Sequence, residues 1–566
     1  MRPTLPARYD AAVIAAHYAN PAGETALRER ALFIAGTVAS ALSPGGLGVG
    51  RSVESLGATF IKFGQALANR PDLVGRDLAD ELRLLQDSCL PFDRDTVCAI
   101  IREDLPPEAA DEVLAALPAE PAAAASLGQV YRLTLPSRPE APMAIKLLRP
   151  GAREAVAMDS LLARQAAARL ESLTWPGGGR LIKPALVAGV DEFFERMFEE
   201  MDYSNERRNL ERFGELYGAR GPAARALARS ARRRGGGSDA TRPAGEILLP
   251  TALPRWSGGR CLAMSWVDGE PLLKRGEATL PRSELPLVLF GIDATLSQLL
   301  EEGVMHADPH GGNLLRAPPR VPSLPRRLVR TVLRRPPPPS RLAYLDFGLV
   351  SDVPLQVREG LVCAVARLLF DRNIGAVADL FSDLMLLPPE ELEAADTRQE
   401  LEDALSALAD RVLLPGATAG DLPTLRFDVL IAELALLAPR FALELPPYFL
   451  NNARGLATLE GMAKSADPEF DVLQAVYPFA LRRLLADPRG SPLLRKTLDA
   501  LTRDDDGRLD LERVRRLLNE AAALSGRSRR QLLAEAVRTP GGRRLGRDVG
   551  LAVIAKSWRR VRGRPQ

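Results

Sequence analysis

Little in this sequence suits a metal-thiolate, disulfide-stapled or membrane-spanning protein. Its 566 residues include four cysteines, Cys89, Cys98, Cys261 and Cys363, with no CxxC pair, and only three histidines. That set is too small and too scattered for a zinc site, and it fits a reducing, cytosolic setting. No run of 18 or more uninterrupted apolar residues is long enough to span a bilayer, and the N-terminal MRPTLPARYDAAVIAAHYAN lacks the continuous apolar run of a signal peptide. The expected location is therefore cytoplasmic, free or held peripherally on the inner face of the membrane. A net charge of +3 gives no chain-wide basic surface, so nucleic acid is not an expected partner. Aromatics make up only 5% against 46% apolar residues, the balance of an Ala/Leu-rich, mostly helical globular protein. Lysine is also scarce, at seven of the 75 basic residues, so each lysine is worth weighing.

The length predicts three or four structural units. From Asp10 to about Leu117 the pattern is helical, broken at Ser43-Pro44-Gly45-Gly46 and at Leu90-Pro91. SLGQVYRLTL and PMAIKLLRP then read as strands around a Pro-rich turn, and helical texture returns at 152–173 and 191–217. Residues 221–245 are of low complexity, with an Arg-Arg-Arg-Gly-Gly-Gly centre, and read as an exposed insert. ILLPTALPRW and RCLAMSWVDGEPL are again strand-like. Beyond Glu284 helical periodicity dominates, apart from a Pro/Arg-rich stretch at 316–341. Strands first and helices after predict an α+β body of two lobes.

The chemistry concentrates in HADPHGGNLL, His306 to Leu315, and in LAYLDFGLV, Leu342 to Val350. Phosphoryl transfer needs a carboxylate to orient or deprotonate the acceptor, with an amide oxygen and a second carboxylate to hold magnesium against the phosphates. Asp308, Asn313 and Asp346 supply those groups, at the D-x4-N spacing of a kinase catalytic loop and in a strand-DFG context. Upstream, MAIK places Lys146 on a strand, where its cation can reach nucleotide phosphates. FEEMDYSNERRN offers Glu200, Asp202 and Glu206 as its carboxylate partner, and Glu206 is the expected one. Met264 and Val267, in RCLAMSWVDGEPL, are expected to contact the nucleotide. Where a Gly-rich loop should cover the phosphates, the chain reads PAAAASLGQVYRL. Alanine disfavours the positive φ angles that let glycines wrap phosphate, so nucleotide handling should differ from that of ordinary protein kinases.

These motifs resemble the atypical-kinase family known as ABC1, ADCK or UbiB (AarF). Its hallmarks are the Ala-rich loop, here Ala122 to Ser126 with Ala123, Ala124, Ala125 and Ser126 at the nucleotide, a KxGQ motif with Lys62, Gly64 and Gln65, and a Glu-x-Asp motif with Glu200 and Asp202. The resemblance runs from about Gly57 to Val350. It implies a protein-kinase-like fold with a helical KxGQ extension (1–117), an N-lobe (118–270, with a basic insert at 219–245), a C-lobe (271–470) and a helical C-terminal extension (471–566). It also implies ATP and Mg2+ as cofactors, Lys62 near Glu200 and Asp202, KxGQ helices covering the cleft that a protein substrate would enter, and a role in isoprenoid-quinone biosynthesis or membrane lipid homeostasis with a prenyl-lipid or quinone precursor as partner. Asp308, Lys146, Glu206, Lys62, Gln65, Glu200 and Asp202 become the catalytic set, and Asn313 and Asp346 the metal ligands.

Two segments stand outside this frame. Arg316 to Arg341 holds eight arginines and no acid, and LPRRLVRTVLRR within it reads as a short basic amphipathic helix. The tail LAVIAKSWRRVRGRPQ, with Trp558 among basic residues, has the same character. Both suit contact with an anionic membrane, and equally a solvated loop and tail. Two rival functions remain at this stage: a small-molecule phosphotransferase of the aminoglycoside or choline kinase type, which shares the H-x-D-x4-N loop, and a non-catalytic nucleotide-sensing scaffold.

Overall fold

Large apolar residues at alternate positions turn the chain from helix to strand at Gly128. In the computed structural model the described residues are 5–42, 49–68, 90–173, 186–234, 247–273, 279–309, 311–319, 340–371, 373–388, 390, 395–414, 424–425, 430, 433–434, 436–437, 440–441, 443, 447–470, 472–486, 490–504, 506–525 and 529–562. They divide into two units. The first comprises Met1–Glu215, Leu249–Asp268 and Asp346–Leu349; the second comprises Leu216–Leu248, Gly269–Leu345 and Val350–Gln566.

The first unit begins with helices α1 (Ala11–Tyr18), α2 (Pro21–Leu42), α3 (Val49–Leu56), α4 (Ala58–Ala68), α5 (Arg94–Asp104) and α6 (Pro107–Ala116). Its sheet runs β1 (Ala123–Ala124), β2 (Gly128–Leu133), β3 (Met143–Leu148) and β4 (Cys261–Ser265), all antiparallel. Between β3 and β4 in sequence lie α7 (Ala152–Ser172), α8 (Leu186–Glu200) and α9 (Tyr203–Tyr217). Side chains alternate along β3. Met143, Ile145 and Leu147 join Val97, Ile101 and Val113 of α5 and α6 in one apolar cluster, while Leu148 faces a second cluster with Val156, Phe194 and Phe198 of α7 and α8. Burying each such residue contributes on the order of 2 kcal/mol, which pins the register and sends Lys146 to the α7–α9 side. Arg30 of α2 ties the N-terminal helices down: it bonds both oxygens of the buried Asp159 on α7, at 2.7 and 2.9 Å, and the Leu56 carbonyl at 2.7 Å.

The second unit opens with α10 (Pro222–Arg234) and α11 (Leu285–Ser297), and α11 is apolar and buried nearly all round. Short strands follow: β5 (Val304–His306), β6 (Leu314–Ala317), β7 (Arg341–Tyr344) and β8 (Val350–Asp352). β6 and β7 form an antiparallel pair flanked by two-residue strands at Glu270–Pro271 and Ile247–Leu248, and β5 pairs with β8. The rest is mainly helical; α12 (Pro447–Ala466) packs on α11.

Three expectations need correcting. The low-complexity segment is not simply an exposed insert, because α10 buries Ala223, Ala224 and Leu227. ILLPTALPRW is strand only at Ile247–Leu248; Pro250 and Pro254 lack the N–H a ladder needs, and Pro254–Trp256 turns as a short 3-10 helix. Among the described residues the region after Glu284 holds six strands, including β5, β8 and a two-residue pair at Leu413–Leu414 and Thr424–Leu425, which helical periodicity did not announce. The basic amphipathic helix expected at 324–335 lies outside the described residues, as does the side chain of Trp558. Among the described residues no helix is long and apolar enough to cross a membrane.

Candidate functional site

Lys146 is the centre of the first unit's polar cluster. Its register opposite Val130 and Leu262 places it mid-sheet. Its Nζ donates to Glu206 Oε2 at 2.9 Å, lies 3.4 Å from Asp346 Oδ2, and sits 5.2 Å from the centroid of the Tyr203 ring. Burial opposes the charge on Lys146, but Asp346, Glu206 and Tyr203 outweigh it and hold the ammonium well above the usual lysine range. Glu206 is 1% exposed, and its Oε1 finds no hydrogen-bond partner among the described residues. Burial, helped by Asp346, pushes its carboxyl up to about 7 against the pull of Lys146. Burial likewise pushes the Tyr203 phenol up.

The helix presenting Glu206 starts where Asp202 caps it. Asp202 Oδ1 accepts from the Asn205 N–H at 3.0 Å, so this carboxylate orients α9 and does not reach Lys146 itself. Lys62 of α4 pairs with Glu200 at the end of α8, 2.5 Å apart. Gln65 lies three residues further along α4, half-buried. Asp346 adopts a left-handed φ of 54°, which aspartate tolerates better than most residues, and its Oδ1 accepts from the Gly348 N–H at 3.1 Å.

The Ala-rich segment is a tight hairpin. Ala123 and Ala124 form β1, the Ala125 N–H donates to the Gly128 carbonyl at 2.7 Å, and Ser126 is buried in the turn. Gly128 is forced by close approach, since a Cβ there would lie 2.4 Å from the Leu147 carbonyl oxygen and 2.7 Å from the Tyr203 hydroxyl. Met264 stands opposite Ala144 on β4, half-buried, and Val267 is buried just beyond.

In the second unit the HADPHGGN segment leaves β5 and is held by its own backbone. His306 is buried; its Nε2 lies 3.0 Å from the Leu345 carbonyl and its Nδ1 accepts from the Asp308 N–H at 3.3 Å. Those partners select the neutral tautomer protonated on Nε2. Asn313 donates from its side-chain amide to the Asp308 carbonyl at 3.2 Å, and its backbone carbonyl accepts from the Leu345 N–H at 2.9 Å. Asp308 is exposed at the head of this loop. His310 lies outside the described residues.

Lys146, Glu206 and Asp346 are thus gathered in one unit, Lys62 with Glu200 in the same unit, and Asp308 with Asn313 in the other. Sequence reasoning missed Tyr203, Asn209 and Phe213. They share a helical face with Glu206, and that spacing was the available signal. Among the described residues no group of three or more His, Cys, Asp or Glu could hold a metal alone.

Comparison with known proteins gives these motifs a family. The ABC1 atypical kinase-like domain matches residues 84–380, more than half of the chain. An uncharacterized aarF domain-containing protein kinase, chloroplastic, of Arabidopsis thaliana is 33% identical over 82% of this chain. An uncharacterized protein of Synechocystis sp. is 33% identical over 83%, and the Arabidopsis chloroplastic protein named ACTIVITY OF BC1 COMPLEX KINASE 3 is 32% identical over 83%. The chain spans only 57 to 59% of the length of these relatives. The α+β architecture with helical extensions is the kinase-like fold of that domain. The chain belongs to the ABC1 atypical kinase-like family.

Proposed function

We propose that this chain binds ATP with Mg2+ and acts as an atypical kinase or ATPase, supporting isoprenoid-quinone biosynthesis or membrane lipid homeostasis. The observation that carries the reading is the Lys146–Glu206 pair at 2.9 Å with Asp346 3.4 Å from the same ammonium. A charged lysine oriented by a buried carboxylate beside a DFG aspartate is the arrangement that kinases use to receive nucleotide phosphates.

The donor set fits a magnesium ion. Mg2+ prefers one or two carboxylates together with water and phosphate oxygens, and Asp346, with a side chain 46% exposed, offers such a carboxylate without a closed protein cage. Asp346 and Asn313 would hold the ion, which supplies charge neutralisation on the phosphates. Lys146 would bind the α- and β-phosphates, and Asp308 would orient the acceptor hydroxyl or water and take its proton. The Lys62–Glu200 pair supports a reading in which α4 restricts acceptor entry, so water or a small amphiphile is the expected acceptor and peptides are not.

Titration calorimetry with Mg-ATP tests the site. Wild type should bind, and Asp346→Asn should weaken binding at least about tenfold at equal magnesium. Equal binding by the two proteins, or robust phosphorylation of unrelated peptides by wild type, would refute the reading.

A further inference from the structure

We propose that Asn209 is a positioning residue: its side-chain amide holds the Asp346-Phe347-Gly348 triplet in register with Lys146. The amide donates to the Phe347 carbonyl at 2.9 Å, a contact between residues 138 apart in the chain. The same helix face grips the triplet elsewhere. Phe213 packs on the Phe347 ring at 5.1 Å between centroids. Tyr203, Glu206, Asn209 and Phe213 recur at helical spacing, so one side of α9 addresses the Lys146 ammonium at its start and the triplet one to two turns later.

The hydrogen bond matters because the triplet's backbone is unusual. Asp346 has φ 54°, which L-residues other than glycine adopt only with support. Its carboxylate direction depends on that φ and on the bond from the Gly348 N–H to its Oδ1. Fixing the Phe347 carbonyl fixes the Phe347–Gly348 peptide plane, the plane that also carries the Gly348 N–H bonded to Asp346 Oδ1. The side chain of Asn209 bonds the backbone of the triplet itself, so its effect runs through Asp346. This inference rests on Asp346 being the metal-holding carboxylate.

The test uses the full chain with Asn209→Leu, which keeps the size and removes the donor, and Asn209→Asp, which keeps polarity but turns a carboxylate toward the Phe347 carbonyl. In nucleotide-free protein, hydrogen exchange in a peptide covering residues 342–352 should quicken about five- to tenfold in both variants, while β3 peptides stay at the wild-type rate. In calorimetry, the Mg2+ concentration giving half-maximal ATP binding should rise about five- to tenfold, with affinity at saturating Mg2+ close to wild type. A merely structural contact would lower thermal stability without moving the magnesium requirement. Unchanged exchange in both variants overturns the proposal, and so does faster exchange with an unchanged magnesium requirement. Absence of Mg-ATP binding by wild type would instead defeat the reading of the site, and the exchange comparison would then decide alone whether Asn209 holds the triplet.

Discussion

Replacing Lys146 by methionine should cost stability in a way that depends on pH, and the structure sets the size. At 2.9 Å from Glu206, an attraction at an effective dielectric of about 20 amounts to roughly 6 kcal/mol before desolvation is subtracted. Glu206 is 1% exposed, so removing its cation strands a buried carboxylate, and breaking such a pair costs about 3 to 5 kcal/mol. Asp346 adds little, being nearly half exposed and screened by water. A domain with about 5 to 15 kcal/mol of stability would stay folded but weakened. The pH sign follows from burial. The Glu206 carboxyl is already pushed up to about 7 in the folded protein, above its unfolded value, so the native state holds its proton more tightly. Its contribution is present in full at low pH and is lost as pH rises through about 7. Without Lys146 the folded value climbs further, so Lys146→Met should lose little at pH 6, where Glu206 is protonated, and most at pH 8.5. Urea unfolding of wild type, Lys146→Met and Lys146→Met/Glu206→Gln at both pH values measures this. The double variant, with no buried charge, should recover much of the loss at pH 8.5. A deficit equal at the two pH values, or a double variant no more stable than the single at pH 8.5, would refute the reasoning.

Two further outcomes follow from close contacts. Gly128→Ala should cost about 1 to 3 kcal/mol by forcing a methyl against the Leu147 carbonyl and the Tyr203 hydroxyl, read as a lowered urea midpoint; the Tyr203→Phe background should relieve part of it. Asp159→Asn should cost about 3 kcal/mol by leaving the guanidinium of Arg30 without its two-point carboxylate, and faster hydrogen exchange confined to α2, α3 and α7 would mark the loss; uniform exchange would contradict that role.

A strand lysine, a D-x4-N loop and a strand-DFG in order made Lys146 and its need of a carboxylate partner legible, while helical spacing left Asp202 and Glu206 on one face; Glu206 was the expected partner, and the structure has it at 2.9 Å. Asp202 was legible as one of three candidate acids; the structure adds that it caps α9, and a cap and a catalytic acid look alike in a sequence. Asn209 and Phe213 stayed hidden because their partners, the Phe347 carbonyl and the Phe347 ring, lie 138 and 134 residues further along the chain, and no local pattern links them. The buried face of α10 was masked by small side chains, since Ala223, Ala224 and Leu227 make a weak stripe among arginines. ILLPTALPRW misled in the opposite direction: its apolar content suggested a strand that its prolines deny. The two-residue strands lie below any periodicity, because pairing across the sheet and not local pattern creates them.

The alternation along β3 also governs which changes in chain length the site can absorb. Ile145 and Leu147 face the α5–α6 cluster while Lys146 faces Glu206, so adding or deleting one residue inside β3 would exchange the two faces, presenting an apolar side chain to the carboxylates and driving an ammonium among Val97, Ile101 and Val113. The Pro-rich turn at 136–142, beyond the buried Leu135, has no such constraint. An insertion there lengthens a surface connection and leaves every partner of Lys146 in place, so length variation is tolerable on one side of Met143 and ruinous on the other.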